Sequence, residues 1–214
     1  RHVKLPKLGT VKARVSREVP GRITSATVKR TATGKYLCVL LFEVPDGAVE
    51  RWPMPEGAPE VTGIDMGVST LMTLSDGREF ENPRALAKLE KKLAREQRRL
   101  SRKKNGSKNR ERQRARVARV HERIEDARRD ALHKATTEAA RESQAVAAED
   151  LNVEGMKRNR RLAKAVSDAS MGEALRMLER KCARNGRAFV KVSRWYPSSK
   201  ACHECGHVMA ELPL

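Results

Sequence analysis

The order of short apolar strands and long amphipathic helices after Val61 constrains the fold of this chain more than any other feature. The segment "VTGIDMGVSTLMTLSDG" predicts strands at about 61–66 and 70–75, and the turn Asp76-Gly77 leads into a short strand near 78–80. A helical region, a short apolar strand at 145–148, another helix and a last strand at 188–192 follow. The pattern therefore predicts an α/β layer with helices packed on a sheet.

The spacing of apolar residues predicts two long helices between the third and fourth strands. The sequence "NGS" at 105–107 separates them, so they form an αα-hairpin inserted at about 84–135. Their apolar stripes comprise Leu86, Leu89, Leu93 and Leu100 in the first helix and Val117, Val120, Ile124 and Leu132 in the second. A three-strand meander followed by helix, strand, helix and strand is the ribonuclease H-like order.

Asp65 lies inside the first apolar strand, where an unpaired charge is costly. In the ribonuclease H-like order the first and fourth strands are neighbours, so Asp65 and Glu149 converge although 84 positions separate them. Two carboxylates held together suit a divalent cation, Mg²⁺ or Mn²⁺, which can activate water at a phosphodiester. The alternative is a structural role in which the Asp65 carboxylate caps backbone N–H groups near Gly63 and Gly67.

The chain is strongly basic, with a formal net charge of +19 over 214 residues. Such a charge requires a polyanionic partner, and nucleic acid is the usual one. There is no apolar run long enough to span a membrane, so no membrane partner is expected. The sequence starts at Arg1 without a signal-like segment, and the few cysteines indicate a reducing compartment. We therefore expect an internal piece of a longer cytoplasmic protein.

Much of this charge lies in the helical pair, where residues 88–129 contain 18 Lys and Arg but only 6 Asp and Glu. The alternative, a solvated helical pair linked by salt bridges, would need more acids. Aromatic residues make up only 3% of the chain, so contacts to phosphates rather than base stacking are the expected main mode of binding. The candidate nucleic-acid contacts are Lys92, Arg95, Arg98, Arg99, Arg102, Lys103, Lys104, Lys108, Arg110, Arg112, Arg114, Arg116 and Arg119.

The two ends of the chain carry weaker patterns. Residues 1–45 alternate loosely and predict three antiparallel strands, part of a larger β module, and residues 46–60 read as a linker rich in Pro and Gly. Near the other end, Cys202 and Cys205 have the spacing of one zinc knuckle. His203 and His207 lie nearby but are also compatible with polar loop positions.

Several stretches resemble one known family. "GIDMGVSTLMTLSDG" and "AAEDLNVEGM" are similar to the first and second RuvC nuclease motifs of the TnpB proteins of bacterial transposons, and "KLPKLG" and "RWYPSSKACHECGH" resemble two further stretches. The resemblance implies an RNA-guided DNA endonuclease with a guide RNA, a target DNA and Mg²⁺ or Mn²⁺ at Asp65 and Glu149. Asp150 is the neighbouring alternative to Glu149. It also implies a β-barrel-like wedge domain before the RuvC domain.

This resemblance gives a division of the chain: a partial wedge-type domain at 1–45, a linker at 46–60, the RuvC domain at 61–198 and an incomplete zinc-knuckle segment at 199–214. The family has a third catalytic aspartate and a second Cys-x-x-Cys beyond the position that corresponds to Leu214. We therefore expect the 214 residues alone to be inactive, and Zn²⁺ to bind only in the full-length parent, where Cys202 and Cys205 form part of the ligand set.

Two other functions remain open at this stage. A nuclease-dead guided DNA-binding protein would act as a transcriptional regulator, and such proteins lose the RuvC carboxylates that this chain keeps. A basic RNA-binding structural protein would carry Asp65 and Glu149 only incidentally. The sequence does not indicate an oligomeric state.

Overall fold

The computed structural model describes residues 2–15, 21–45, 47, 50–197, 200–201, 205 and 207–209. The strands are β1 His2–Leu5, β2 Gly9–Lys12, β3 Arg22–Arg30, β4 Tyr36–Glu43, β5 Val61–Asp65, β6 Thr70–Leu74, β7 Glu79–Glu81, β8 Ala145–Glu149 and β9 Ala188–Val192. The helices are α1 Ala85–Ser101, α2 Lys108–Arg141, α3 Val153–Arg158, α4 Ala163–Ala169 and α5 Met171–Arg184. No helix among these residues is long and apolar enough to cross a membrane.

The chain divides into two compact units. The first comprises Arg1–Arg51 and Leu89–Arg123, and the second comprises Trp52–Lys88 and Ile124–Leu214. The boundary falls within α1 and within α2, so the base of the predicted hairpin belongs to the second unit. The division at 1–45, 46–60, 61–198 and 199–214 stays a prediction.

The second unit contains a five-stranded sheet of order β7-β6-β5-β8-β9. Strand β5 pairs with β8, and β8 with β9, in parallel, whereas the β5–β6 and β6–β7 pairs are antiparallel. The predicted α/β class is confirmed, and the first and fourth strands of this unit are neighbours as expected. The short helices α3 and α4 between β8 and α5 were not predicted.

The sheet and the helices of the second unit share one apolar core. Leu71, Met72 and Val146 of the strands are fully buried together with Leu132 of α2 and Leu178 of α5. Burying each such side chain contributes about 1.5–3 kcal/mol, so these contacts hold the sheet and the helices together. The alternation of buried and exposed residues in β5 and β8 directs Ile64 and Ala148 inward and leaves the next residue of each strand exposed.

A buried arginine closes the end of α2. The Arg187 guanidinium donates hydrogen bonds to the carbonyls of Ala140 and Ser143, the latter at 3.1 Å, and to the carbonyl of Pro53 at 3.2 Å. The last carbonyls of a helix have no partners within the helix, and a cation is favourable at that negative end. Arg187 therefore fixes the position at which α2 ends and the chain continues into β8.

The first unit contains two β-hairpins and the distal parts of α1 and α2. Strands β1 and β2 form one two-stranded sheet and β3 and β4 another, so the second and third strands predicted within 1–45 are present as β3 and β4, whereas the first predicted strand is wrong, because it consists of two strands. The reason is a tight turn after Pro6, where Lys7 and Gly9 adopt positive φ angles of 64° and 71° and split the first predicted strand. The turn predicted at Thr33-Gly34 is present, with Gly34 at φ 87°.

Candidate active site and nucleic-acid interface

The register of the two central strands places Asp65 and Glu149 side by side. In the parallel β5–β8 pair the Cα partner of Ile64 is Ala148. Asp65 and Glu149 are the next residues of their strands, and both are exposed at the same edge of the sheet. Residues in register on adjacent strands point to the same face. The expected convergence of these two residues is therefore present.

A cavity of about 370 Å³ opens at this edge of the sheet, and both carboxylate residues line it. Strands β5, β6 and β8 supply its walls, and the segment after β9 contributes Ser193 and Tyr196. The opening lies at the carboxyl ends of the parallel strands, where ligands bind in open α/β sheets. The site can therefore admit a ligand from solvent.

Neither carboxylate has a hydrogen bond or an ion pair with any residue that the structure describes. The Gly63 N–H donates to Ser75 Oγ at 3.1 Å, and the Gly67 N–H donates to the Leu71 carbonyl at 3.4 Å. Both backbone groups that Asp65 could cap thus have other acceptors, so the structural alternative for Asp65 is wrong. Its carboxylate is available to a ligand.

The two other acids considered near the site are already bound to basic groups. The Asp150 carboxylate accepts a hydrogen bond from Arg194 at 2.7 Å, which leaves Glu149 as the free acid of the "ED" pair. Asp168 is buried in α4 and accepts hydrogen bonds from the Leu86 and Ala87 N–H groups at the start of α1. Neither acid therefore completes the site in this conformation.

Two carboxylates alone make an incomplete ligand set. Over the described part of the chain, no three His, Cys, Asp or Glu residues lie close enough to hold a metal ion together. Exposed carboxylate oxygens are nonetheless the ligands that Mg²⁺ and Mn²⁺ prefer, and Mg²⁺ keeps several waters when a protein supplies only one or two carboxylates. The donor pair fits a hydrated divalent ion, and the metal role of Asp65 and Glu149 stays a prediction.

The zinc prediction falls partly outside the described residues. Cys202 and His203 are not among them, and Cys205 is exposed. Ala201 and Val208 form an antiparallel bridge that brings together the two ends of this segment. The predicted zinc ligands, Cys202 and Cys205, stay a prediction.

The distal α1–α2 hairpin exposes most of the predicted basic residues. The exposed members are Arg95, Arg98, Arg99, Arg102, Lys103, Lys104, Lys108, Arg112, Arg114, Arg116 and Arg119, whereas Lys92 and Arg110 are half-buried. Arg110 has a structural role, because its guanidinium donates to the carbonyls of Leu100 and Lys103 and closes the turn between the helices. The other basic residues stay predicted nucleic-acid contacts.

Helical spacing arranges these charges into two stripes, and the predicted contacts include only some of the members of each stripe. On α2, four exposed basic residues recur at i, i+4, i+7 and i+11, and on α1 three recur at i, i+4 and i+7, which places each set on one face. The α1 stripe consists of Lys91, Arg95 and Arg98, with Arg102 directly after the last helical residue, and the α2 stripe consists of Arg112, Arg116, Arg119 and Arg123. Lys91 and Arg123 were not predicted, although the period of 3.6 residues identifies both.

A buried acid lies between the two helices of the hairpin. The Glu96 carboxylate of α1 accepts a hydrogen bond of 2.7 Å from the Gln113 side chain of α2, and Arg99 donates to it at 3.2 Å. The hydrogen bond from Gln113 and the neighbouring arginines lower the pKa of Glu96. Glu96 is thus held within the hairpin, and it also pairs with Arg95 of the α1 stripe at 3.8 Å.

Family models match two parts of the chain. Residues 43–160 match the model OrfB_IS605, described as "Probable transposase". Residues 172–212 match the model described as "Cas12f1-like, TNB domain". Together these segments include β5 through β9 and both carboxylate residues.

Curated relatives align with nearly all of the chain. A protein of Streptomyces pristinaespiralis named "Putative RNA-guided DNA endonuclease" is 45% identical over 191 residues, which cover 89% of this chain and 46% of that protein. The Escherichia coli K12 protein "Putative RNA-guided DNA endonuclease InsQ" is 34% identical over 222 residues, which cover 97% of this chain and 54% of that protein. The chain spans about half the length of the curated relatives it matches.

A solved structure shares the fold. The chain resembles a protein in the cryo-EM structure of the Cas12f1–sgRNA–target DNA complex with a TM-score of 0.53 and 21% sequence identity. The match covers 86% of this chain and 38% of the other. At this identity the likeness establishes the fold only.

Proposed function

Because this chain belongs to the OrfB_IS605 family of probable transposases, the TnpB proteins, we propose that it supplies the catalytic centre of an RNA-guided, divalent-metal-dependent DNA endonuclease. We further propose that the second unit is a ribonuclease H-like domain of the RuvC type. Support comes from the strand order β7-β6-β5-β8-β9 and from the names of the relatives. The proposed partners are a guide RNA and a target DNA.

One observation carries this proposal: Asp65 and Glu149 are in register on adjacent parallel strands and have no partner within the described residues. A protein does not gain stability from two unpaired like charges at one edge of a sheet. Their proximity is explained if both carboxylates bind a cation, which either arrives with the substrate or is already bound when the substrate arrives. The cavity beside them has room for part of a phosphodiester.

Asp65 and Glu149 would hold the divalent ion and orient it toward the scissile phosphate. A bound ion of this kind lowers the pKa of a coordinated water and stabilises the negative charge on the leaving oxygen. Arg194 keeps the neighbouring Asp150 out of this set through their 2.7 Å ion pair. The exposed stripes on α1 and α2 would bind the phosphates of the guide or target strands without reading their sequence.

Binding of Mn²⁺ tests the metal site independently of cleavage. We expect the electron paramagnetic resonance signal of free Mn²⁺ to fall on addition of the protein, and Asp65→Asn or Glu149→Gln to weaken this binding at least tenfold. Asp150→Asn is the matched control, because Asp150 already pairs with Arg194. Equal Mn²⁺ binding by Asp65→Asn and by the unchanged protein would exclude the proposed site.

We also propose that the 214 residues by themselves do not cleave DNA, because the described residues provide only two free carboxylates at the site. Loss of one essential member of a catalytic set can cost nearly as much as loss of all of them. The measurement is cleavage of a matched target in the presence of guide RNA and Mg²⁺. Cleavage that disappears in Asp65→Ala would contradict this proposal and would show that another residue of the chain, such as Asp150 or Asp168, completes the site.

A further inference from the structure

Two adjacent aromatic side chains are exposed next to the carboxylate cavity. Trp195 is 85% exposed and Tyr196 is 57% exposed, in a chain that contains only two Trp and two Tyr residues. By contrast, the other tryptophan, Trp52, is partly buried against the apolar core. Exposing two large rings in sequence forfeits the stabilisation that their burial would give, so a ligand-binding role is the natural account.

The backbone around these rings is held in a defined turn. Val192 is the Cα partner of Glu149, and the turn begins at the next residue. The Ser193 carbonyl accepts a hydrogen bond of 2.9 Å from the Tyr196 N–H, and the Arg194 side chain is tied to Asp150. The residues that immediately precede the aromatic pair are thus attached to Glu149 and Asp150.

The turn also shares the cavity of the candidate active site. Tyr196 lines the same opening as Asp65 and Glu149. Residues 193–201 include two basic residues, Arg194 and Lys200, and no acidic residue. A strand that reaches the carboxylates past Tyr196 therefore meets an exposed aromatic surface, whose basic neighbour Arg194 is paired with Asp150.

We propose that Trp195 and Tyr196 form a stacking platform for unpaired nucleobases of the strand that enters the carboxylate cavity. This inference rests on the proposed function, since it assumes that a nucleic-acid strand reaches Asp65 and Glu149. Bases of a duplex already stack on their neighbours, so only an unpaired base offers a free face to a side chain. The platform positions the strand, and the two carboxylates remain the groups that would act on it.

Phosphate contacts remain the expected main mode of nucleic-acid binding, and the platform adds base stacking at one place. The basic stripes of α1 and α2 contact phosphates over a long surface, whereas stacking is confined to one turn beside the carboxylates. Phosphate contact and base stacking depend on different properties of the nucleic acid and of the solution. Phosphate contacts depend on salt, and stacking depends on the presence of bases.

Tryptophan fluorescence tests the platform directly. In a Trp52→Phe background, Trp195 is the one remaining tryptophan of the sequence, and Trp52→Phe preserves the Trp52 backbone N–H that donates to Asn185. We expect a short oligo-dT to quench the emission of Trp195 in the presence of EDTA. An oligonucleotide of equal length and charge, but with abasic residues, should quench little and bind about tenfold more weakly, as expected for loss of one stacked base.

Substitutions identify the residue responsible. Trp195→Ala should remove the difference in affinity between the two oligonucleotides, measured by anisotropy, and Trp195→Phe should restore most of it because a ring remains. Tyr36→Ala is the matched control, since Tyr36 is 70% exposed in the other unit. Equal binding of the base-containing and abasic strands, or an equal loss in Tyr36→Ala, would overturn the proposal.

The test is independent of catalysis. Because EDTA removes divalent ions, quenching that depends on bases supports the platform even if Asp65 and Glu149 fail to bind Mn²⁺. Conversely, Mn²⁺ binding at the carboxylates without base-dependent quenching removes the platform and leaves the proposed function intact.

Discussion

Arg128 of α2 and Asp168 of α4 form an ion pair at the base of the hairpin, with Nη2 and Oδ1 3.0 Å apart. The side chain of Asp168 is only 7% exposed, and its two oxygens also accept the N–H groups of Leu86 and Ala87 at 3.0 and 3.2 Å. The first turn of α1 contains no acidic residue of its own. A carboxylate from a distant helix therefore caps α1 and connects it to α2 and α4.

Replacing Asp168 with Ala should lower the free energy of unfolding by about 3 kcal/mol, since it leaves a part-buried guanidinium and two helix N–H groups without their acceptor. Urea denaturation followed by circular dichroism measures this loss. Asp150→Ala removes an exposed partner of Arg194 and should cost less than about 1 kcal/mol. Similar losses in the two variants would contradict the role assigned to Asp168.

The basic stripe of α2 should contribute to the salt dependence of nucleic-acid binding. Each phosphate contact releases counterions, so Arg116→Gln with Arg119→Gln should flatten the slope of log affinity against log salt by about two units on duplex DNA. The control is Arg129→Gln with Lys134→Gln on the same helix, because these side chains already pair with Glu125 and Asp130. A stripe that only faces solvent would leave the slope unchanged in both double variants.

Gly67 should be essential to the position of Asp65. A Cβ at Gly67 would lie 2.7 Å from the Thr70 carbonyl oxygen, which is too close without movement of the turn between β5 and β6. Gly67→Ala should therefore cost about 1–3 kcal/mol of stability and weaken Mn²⁺ binding. At Gly63 the nearest atom to such a Cβ is Ser75 Cβ at 3.5 Å, an ordinary contact. Gly63→Ala should leave Mn²⁺ binding nearly unchanged, and equal effects would refute this account.

Lys181 should make stability rise with pH in the alkaline range. Its ammonium donates to the hydroxyls of Thr136 and Thr137 and to the His133 carbonyl, and burial lowers its pKa from 10.5 to about 8. Between about pH 8 and 10.5 the unfolded chain binds a proton that the folded chain releases, so folding becomes more favourable as pH rises. Below pH 8 Lys181 is protonated in both the folded and the unfolded chain, so the cost of burying its ammonium lowers the stability by the full amount.

The measurement compares the unfolding free energy of the unchanged protein with that of Lys181→Met across this range. The difference should change by about 1 kcal/mol in favour of the unchanged protein, after allowance for partial solvent exposure. Other lysines and tyrosines titrate in both proteins and cancel in the comparison. A constant difference from pH 7.5 to 10.5 would show that Lys181 keeps its ordinary pKa.

Most strands and both long helices were predictable from sequence because their apolar period is strong. The stripe that contains Val120, Ile124 and Leu132 is buried in α2 as expected. The approach of Asp65 to Glu149 was also predictable, since it follows from strand order alone. It did not require knowledge of any side-chain contact.

The remaining features depend on contacts that periodicity does not encode. Nothing in the local sequence of Asp168 indicates that it caps a helix beginning 83 positions earlier, at Ala85. Likewise, Arg110 is one of many arginines in its segment, and only its position opposite the carbonyls of Leu100 and Lys103 gives it a structural role. The division of the first predicted strand into β1 and β2 depends on a positive φ at Lys7, which lysine seldom adopts.

The α1–α2 hairpin leaves the sheet after β7 and returns the chain to β8, the neighbour of β5. Its outer turn at 102–107 is exposed except at Ser107, which is half-buried, and its base is held by Asp168 and Arg187. The entropy of closing a loop grows only slowly with its length, so the arms can gain or lose matched helical turns without altering the pairing of β5 with β8. The length of the arm and the residues at the edge of the sheet can therefore diverge separately in evolution.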